Sequence, residues 1–216
     1  IEDTYIFQGD ESSNMRHRAH IIRVGSNNKA GPHKNPTRGL IKFSLPDLNA
    51  GDQVIWANLS LCSYPDTDEW APPGREIQID VHRINTNWSQ EIASWNSLSN
   101  SYNTVIEDYE KYKFDYNDQL KFYNFNITDI AKDWYTTGNN YGLMIKEHNE
   151  QYNYPESDAY FLSANTNKEA WYYGRPVVTI VYRNQTGLED YLSYHTQSVG
   201  RAGTVYTNDY NGNLVL

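Results

Sequence analysis

The chain has 216 residues, and 18 Lys and Arg stand against 27 Asp and Glu, which gives a formal net charge of −9. This balance excludes nucleic acid as a favoured partner, because phosphate backbones are bound by basic surfaces. No stretch approaches the roughly 18 consecutive apolar residues of a membrane-spanning helix, and the single cysteine, Cys62, excludes an internal disulfide.

Short apolar or alternating runs bounded by turn residues recur along the chain, and each predicts a β-strand. In the fourth of these runs, Ala57, Leu59 and Leu61 alternate with polar neighbours, as expected for a strand with one buried face. The predicted strands span residues 4–8, 19–25, 38–44, 53–64, 76–83, 120–125, 141–146, 159–163 and 176–182. Strands at this spacing predict an all-β protein, a jelly-roll-like β-sandwich.

One segment is helical in pattern. Thr128 is expected to cap its start, Asp129 to complement the positive N-terminal end, and Gly138 to end it in the left-handed conformation. Residues 99–117 are polar, rich in Tyr and weakly periodic, so we expect a long irregular excursion there.

Composition changes at Arg183. Residues 183–187 are typical of a linker, and Asn211-Gly212 between two β-prone runs predicts a hairpin. We therefore divide the chain into a sandwich module, residues 1–182, and a linker and hairpin, residues 183–216. Because the chain starts at Ile1 without Met, we expect it to be part of a longer polypeptide.

A set of motifs in fixed order resembles the DNRLRE domain family, β-sandwich domains related to carbohydrate-binding modules. The motifs are Asp3-Thr-Tyr-Ile6, Arg38-Gly-Leu-Ile-Lys-Phe43, Ala57-Asn-Leu-Ser-Leu61, Val81-His-Arg-Ile84, Trp88, Trp95-Asn96, Phe125-Asn-Ile-Thr128, Trp134, Asn140-Tyr-Gly-Leu143 and Pro176-Val-Val-Thr-Ile-Val-Tyr182. The chain departs from this family at Asn126, where Asp is usual.

The C-terminal part resembles the segment that enters the Rhs/YD-repeat region of bacterial wall-associated, teneurin-like proteins. The matching pieces are Gly187-Leu-Glu-Asp-Tyr191, Tyr194-His-Thr-Gln197, Gly200-Arg-Ala-Gly203 and Asn208-Asp-Tyr-Asn-Gly-Asn-Leu214. The resemblance implies an accessory module of a large exported protein at the bacterial cell surface. It also implies that the remainder of the parent polypeptide is a partner.

The aromatic residues separate into packing and binding candidates. Trp88, Trp95 and Trp134 match the family pattern, so we expect them to pack in the core or at its ends. Two further aromatic sites, Trp70 and Trp171-Tyr172, lie in predicted loops, where exposed rings often bind ligands. We expect Trp70, Trp171 and Tyr172 to stack on a polysaccharide or cell-surface glycan.

Two basic residues complete the predicted ligand-binding set. Arg16 and Arg18 share one face of an extended segment and would orient an acidic glycan. Asp66, Asp68 and Glu69 offer oxygen ligands for a structural calcium ion, but the Gly and distal Glu of an EF-hand loop are missing. A structural calcium ion is therefore possible from the sequence, but the residues that would bind it are not defined.

No catalytic motif is present. The sequence has no Gly-x-Ser-x-Gly, P-loop, His-Glu-x-x-His or Cys-x-x-Cys pattern, and nothing places two acids across one cleft as a glycosidase requires. We predict a non-catalytic module that binds glycan. The alternative is a structural docking module that braces or plugs the adjoining repeat shell without binding sugar.

Overall fold

The structure is a computed structural model. It describes residues 1–10, 20–27, 35–45, 47–64, 76–113, 120–150, 158–166, 173–183, 189–195, 204–208 and 214–215. The first half of the chain forms β1 (Glu2–Phe7), β2 (Ile21–Asn27), β3 (Asn35–Lys42), β4 (Gln53–Cys62), β5 (Glu76–Arg83), the short helix α1 (Trp95–Leu98) and β6 (Asp108–Lys113). The second half forms β7 (Phe122–Asn126), α2 (Thr128–Thr137), β8 (Leu143–Glu147), β9 (Ala159–Leu162), β10 (Val177–Arg183), β11 (Glu189–His195), β12 (Thr204–Asn208) and β13 (Leu214–Val215).

The described strands form two antiparallel sheets. The seven-stranded sheet has the order β6-β5-β8-β3-β2-β9, with β1 also paired to β3, and the six-stranded sheet has the order β13-β12-β11-β10-β4-β7. The core lies between them, where Ile41 and Ile145 of the first sheet are buried in one cluster with Leu59 and Ile180 of the second. The predicted all-β sandwich is confirmed.

The sandwich is closed on one side by aromatic rings. Tyr112 of β6 stacks on Tyr123 of β7 with 5.1 Å between the ring centroids, and both rings meet Phe161 edge to face. Such offset and edge-to-face contacts add to the burial of the rings themselves. They bring the edge strand of one sheet, β6, next to the edge strand of the other, β7.

The seven-stranded sheet has a second apolar cluster on its outer face. Residues 84–107, here called the cover segment, cross this face and place Ile84, Trp88 and Leu98 against Leu40 and Met144. Within the segment, α1 begins with a capping box in which Ser94 and Ser97 each bond the other's backbone N–H. Both faces of this sheet therefore bury apolar side chains, which stabilises the sheet from both sides.

Two expectations from sequence are wrong in detail. Residues 99–117 are not irregular throughout, because Asp108–Lys113 forms β6 and pairs with β5 from Glu76↔Lys113 to Val81↔Asp108. Thr128 is not the N-cap of α2, since it is the first helical residue and Ile127 precedes it without a side-chain cap. Asp129 in the first turn and Gly138 with φ 73° at the end are as predicted.

The C-terminal strands continue the six-stranded sheet. β11 pairs with β10 from Val177↔His195 to Arg183↔Glu189, and β12 pairs with β13 in the antiparallel sense expected of the hairpin. The division into residues 1–182 and 183–216 stays a prediction. Neither helix in the described part of the chain has the length and apolar character needed to cross a lipid bilayer.

Candidate functional site

The outer face of the six-stranded sheet carries a run of polar and aromatic side chains on two neighbouring strands. Strand alternation turns Ala57, Leu59 and Leu61 of β4 into the core, so the residues between them point outward. On β7 the burial alternates in the same way, with Tyr123 and Phe125 inside. The outward residues, here called the outer strip, are Trp56, Asn58, Ser60, Phe122, Asn124 and Asn126.

The middle of the outer strip is a closed ring of side-chain hydrogen bonds. Asn58 Nδ2 donates to Ser60 Oγ at 3.0 Å and to Asn124 Oδ1 at 3.2 Å. Ser60 Oγ donates to Asn124 Oδ1 at 2.5 Å. Among the described residues, nothing accepts a hydrogen bond from Asn124 Nδ2. The ring therefore fixes the side chains, and Asn124 itself is an exposed residue.

Trp56 lies at one end of the outer strip with 41% of its surface exposed. It borders a groove of about 320 Å³ lined by Ile55, Trp56, Glu107, Asn126, Thr128 and Asp129. This volume is at the lower end of the roughly 300–1,000 Å³ typical of ligand sites.

Hydrogen bonds around the start of α2 fix the polar wall of the groove. Asn126 Oδ1 accepts from Thr128 N at 3.0 Å and from Thr128 Oγ1 at 2.6 Å. Thr128 Oγ1 in turn accepts from Ala57 N at 3.0 Å, which ties the helix to β4. Asn126 Oδ1 thus accepts a hydrogen bond from the N–H of the first helical residue.

Charged residues complete the groove on the side of β6. Arg83 bridges Glu107 at 3.2 Å and Asp133 at 2.9 Å, and Asp108 Oδ2 accepts from Asn126 N at 2.6 Å. The last contact joins the edge strands of the two sheets. The groove is therefore held by both sheets and by α2, which gives a pre-formed site rather than a loop that must order on binding.

Two buried titratable groups lie outside the groove and serve the fold. Asp3 accepts from Ala164 N at 2.6 Å and from Ser163 Oγ at 2.7 Å, and burial raises its pKa although these bonds oppose the rise. Burial raises the pKa of the Cys62 thiol to about 11, so it is protonated and inert at neutral pH.

The residues predicted to bind ligand, Trp70, Trp171, Tyr172, Arg16 and Arg18, all lie outside the described residues. So do the calcium candidates Asp66, Asp68 and Glu69, and the described residues hold no group of three or more His, Cys, Asp or Glu arranged for a metal ion. Next to the second loop site, Tyr173 is 86% exposed.

The expectation for the packing tryptophans is confirmed. Trp88 and Trp134 are each 3% exposed, and Trp95 is partly buried against the second apolar cluster. Sequence reasoning missed Trp56 as a binding candidate, although its signal was present. The alternation that buries Ala57 and Leu59 leaves a residue at position 56 on the outer face with Asn58.

A comparison of the sequence with protein-family models finds a match over most of the chain. The model for carbohydrate-binding module family 96 matches residues 1–173, which include the outer strip and the groove beside Trp56. No curated protein matches the chain. Because the family model spans most of the sequence, the chain belongs to carbohydrate-binding module family 96.

Proposed function

We propose that the chain is a non-catalytic glycan-binding module whose ligand lies along the outer strip, with Trp56 as its main aromatic contact. Membership of a carbohydrate-binding family supports the ligand class. The observation that carries the site is an exposed Trp ring beside a pre-formed groove and a fixed ring of amide and hydroxyl groups.

The chemistry of the outer strip suits a sugar chain. The flat apolar face of a pyranose stacks on an indole ring, while hydroxyl groups exchange hydrogen bonds with amides. From Trp56 to Ser60 the strand advances about 13 Å at 3.3 Å per residue. A ligand stacked on Trp56 would therefore reach Asn58 and Asn124 with its next units, where Asn124 Nδ2 is available as a donor.

Binding is tested first with a glycan array and then by isothermal titration calorimetry with a ligand found there. Trp56→Ala is expected to weaken affinity at least about tenfold, which corresponds to ~1.4 kcal/mol of binding free energy. Ile92→Ala is the matched control, because Ile92 is 67% exposed but belongs to the cover segment on the other sheet. Equal affinities for both variants would refute the site.

The loop residues Trp70, Trp171 and Tyr172, with Arg16 and Arg18, form the second proposed contact set. The exposure of Tyr173, directly after Tyr172, supports an aromatic contact on that side. The double variant Trp70→Ala with Trp171→Ala separates the two sets. If it abolishes binding while Trp56→Ala does not, the loops and not the outer strip hold the glycan.

We also propose a biological setting from the sequence resemblances. The module would be of the DNRLRE type and would belong to a large, exported bacterial cell-surface protein with Rhs/YD repeats. Its ligand would then be a polysaccharide or cell-surface glycan. Fractionation of cells that produce the parent protein tests the location, and recovery only in the cytoplasm would contradict it.

A structural docking role is a second candidate function, and the pairing of β10 with β11 supports it. Seven consecutive residue pairs join β11 of the C-terminal segment to β10, so the two parts share one sheet. We expect removal of residues 183–216 to lower the melting temperature of the remaining chain by several degrees if docking is important. An unchanged melting temperature, measured by circular dichroism, would favour an independent module.

A further inference from the structure

The outer strip carries an exposed aromatic ring at each of its two ends. Trp56 lies at the end beside the groove, and Phe122, with 48% of its surface exposed, lies at the opposite end. Phe122 pairs with Cys62, which is six residues further along β4 than Trp56. At about 3.3 Å per residue, the two aromatic ends of the outer strip are therefore about 20 Å apart.

Two pairs of polar side chains lie between the aromatic ends. In the register of β4 and β7, Asn58 pairs with Asn126 and Ser60 pairs with Asn124. Residues directly opposite each other on antiparallel strands project from the same face of the sheet. The hydrogen bonds that join Asn58, Ser60 and Asn124 hold this polar part in place. The outer strip is therefore a continuous row of one ring, two polar pairs and a second ring.

The position of Phe122 distinguishes it from an incidental exposed residue. A single exposed Phe is ordinary on a protein surface. Phe122, however, is in line with the outward residues Asn124 and Asn126 of its own strand, and the polar pairs separate it from Trp56. Covering its exposed ring with the apolar face of a sugar removes apolar surface from water, which is favourable.

We propose that the outer strip binds an extended glycan segment of about four or more sugar units, with Trp56 and Phe122 stacking on units at opposite ends of the segment; the inference rests on the glycan-binding function proposed above. One pyranose unit of an extended chain is about as long as one and a half strand residues, so about four units cover the distance between the rings. The units between them exchange hydrogen bonds with the two polar pairs. The ligand class is thus a polysaccharide chain and not a mono- or disaccharide.

Chain length should control affinity because one molecule makes both ring contacts. Once a chain is stacked on Trp56, a later unit meets Phe122 without a second loss of translational and rotational freedom. A disaccharide reaches only one ring, and we expect it at Trp56, where the groove adds further contacts. Affinity should therefore rise at least about tenfold between two and five units and then level off.

Oligosaccharide ladders of two to six units test this dependence on length with the full chain. The probes are cello-, manno-, xylo-, chito- and mannurono-oligosaccharides, so that neutral and acidic chains of different linkage are all represented. Calorimetry measures the affinity of the longer members, and NMR titration follows the weak binding of the shorter ones. The expected result is a steep rise up to about five units in each ladder that binds.

Variants of the far ring separate its contribution from that of Trp56. Phe122→Ala should weaken binding of the six-unit ligand at least about fivefold and leave the affinity for the two-unit ligand unchanged. Phe122→Tyr keeps a flat ring and should retain the wild-type affinity. Tyr109→Ala is the matched control, because Tyr109 is 52% exposed but belongs to β6 in the other sheet. Melting temperatures by circular dichroism check that all variants are folded.

The outcomes separate this inference from the proposed function. Affinity that does not rise between two and five units, or a Phe122→Ala loss that is equal for short and long ligands, would overturn the inference. If Trp56→Ala weakens binding but Phe122→Ala has no effect at any length, the glycan site remains and only its extension to Phe122 is wrong. If neither variant changes any affinity, or no ladder binds, both proposals are wrong.

Discussion

The outer faces of the two sheets differ in how far they are covered. On the seven-stranded sheet, the cover segment buries Trp88 and Leu98 against Leu40 and Met144 and creates a second apolar cluster. On the six-stranded sheet, the outer strip keeps Trp56 and Phe122 exposed beside a ring of amide and hydroxyl groups. One face is used for stability, and on the other we propose contact with a glycan.

The difference shows that the surroundings of a tryptophan, and not its presence in a strand or loop, decide its role. The indole Nε1 of Trp88 donates to Tyr141 O at 2.7 Å, and Lys42 Nζ lies 5.1 Å from the centre of its ring. The indole N–H and the ring face of Trp88 thus both have partners within the fold. Trp56 exposes two-fifths of its surface next to an open groove.

The largest expected effect is the loss of Trp88. Trp88→Ala removes a buried ring and its hydrogen bond to Tyr141, and truncation of a buried Trp costs about 3–5 kcal/mol. We expect the free energy of unfolding, measured by urea denaturation, to fall by this amount. Ile92→Ala in the same cover segment should change it by no more than about 0.5 kcal/mol, because Ile92 is exposed. Equal losses would contradict the distinction between buried and exposed parts of the segment.

A smaller loss of stability is expected from replacing Arg38, a cation that contacts the cover segment. Arg38 makes two hydrogen bonds of 2.7 Å to Glu150, also donates to Ser99 O, and lies 4.6 Å from the ring centre of Trp95. Lysine cannot reproduce the paired bonds or the stacked plane. Arg38→Lys should therefore lower the free energy of unfolding by about 1.5–3 kcal/mol. A value within experimental error of wild type would show that this contact does not secure the segment.

The covered face should also respond to pH through His82. Its Nδ1 donates to Asn103 O and Val105 O at 3.0 Å each, and the residue is buried. Burial lowers the pKa of His82 from the ordinary 6.5, although the two carbonyls oppose the shift. As the pH falls, His82 therefore takes up a proton at a higher pH in the unfolded chain than in the folded chain. This contribution to stability is present above pH 6.5 and is lost as the pH falls toward the lowered pKa.

The measurement compares wild type with His82→Gln by urea denaturation between pH 8 and pH 5. The wild type should lose more stability than the variant on acidification, whatever their difference at pH 8. The comparison removes the contributions of the other histidines, because both proteins contain them. Parallel curves would mean that His82 titrates alike in the folded and unfolded chain.

Much of the fold was predictable because strand alternation reports burial directly. The pattern of residues 53–64 predicted β4 and its inner face, and Gly138 predicted the end of α2. Strand β6 was missed because Asp108–Lys113 is an edge strand whose charged residues mask its alternation. The cap of α2 was assigned to Thr128 because Thr is a favoured N-cap residue. In the fold Thr128 Oγ1 accepts from Ala57 N of β4, a contact between segments far apart in sequence that helix propensity does not report.

The site was less predictable than the fold. Loop position suggested Trp70 and Trp171, yet the groove beside Trp56 is assembled from β4, the segment before β6, and α2, which are far apart in sequence. Only the pairing of β4 with β7 brings Asn58 and Asn124 together. A single sequence shows which residues face outward, but not which strands become neighbours.

The smallest expected change in stability is that of Trp56→Ala, and it tests the comparison of the two faces most directly. Part of the ring is buried against the sheet, so its removal should cost about 1 kcal/mol by urea denaturation, well below the loss expected for Trp88→Ala. Glycan affinity, by contrast, should fall for Trp56→Ala and be retained in the folded fraction of Trp88→Ala. A loss of stability for Trp56→Ala as large as that for Trp88→Ala would mean that both tryptophans are structural. The outer strip would then be a second stabilising surface, and the binding site would have to be sought on the loops.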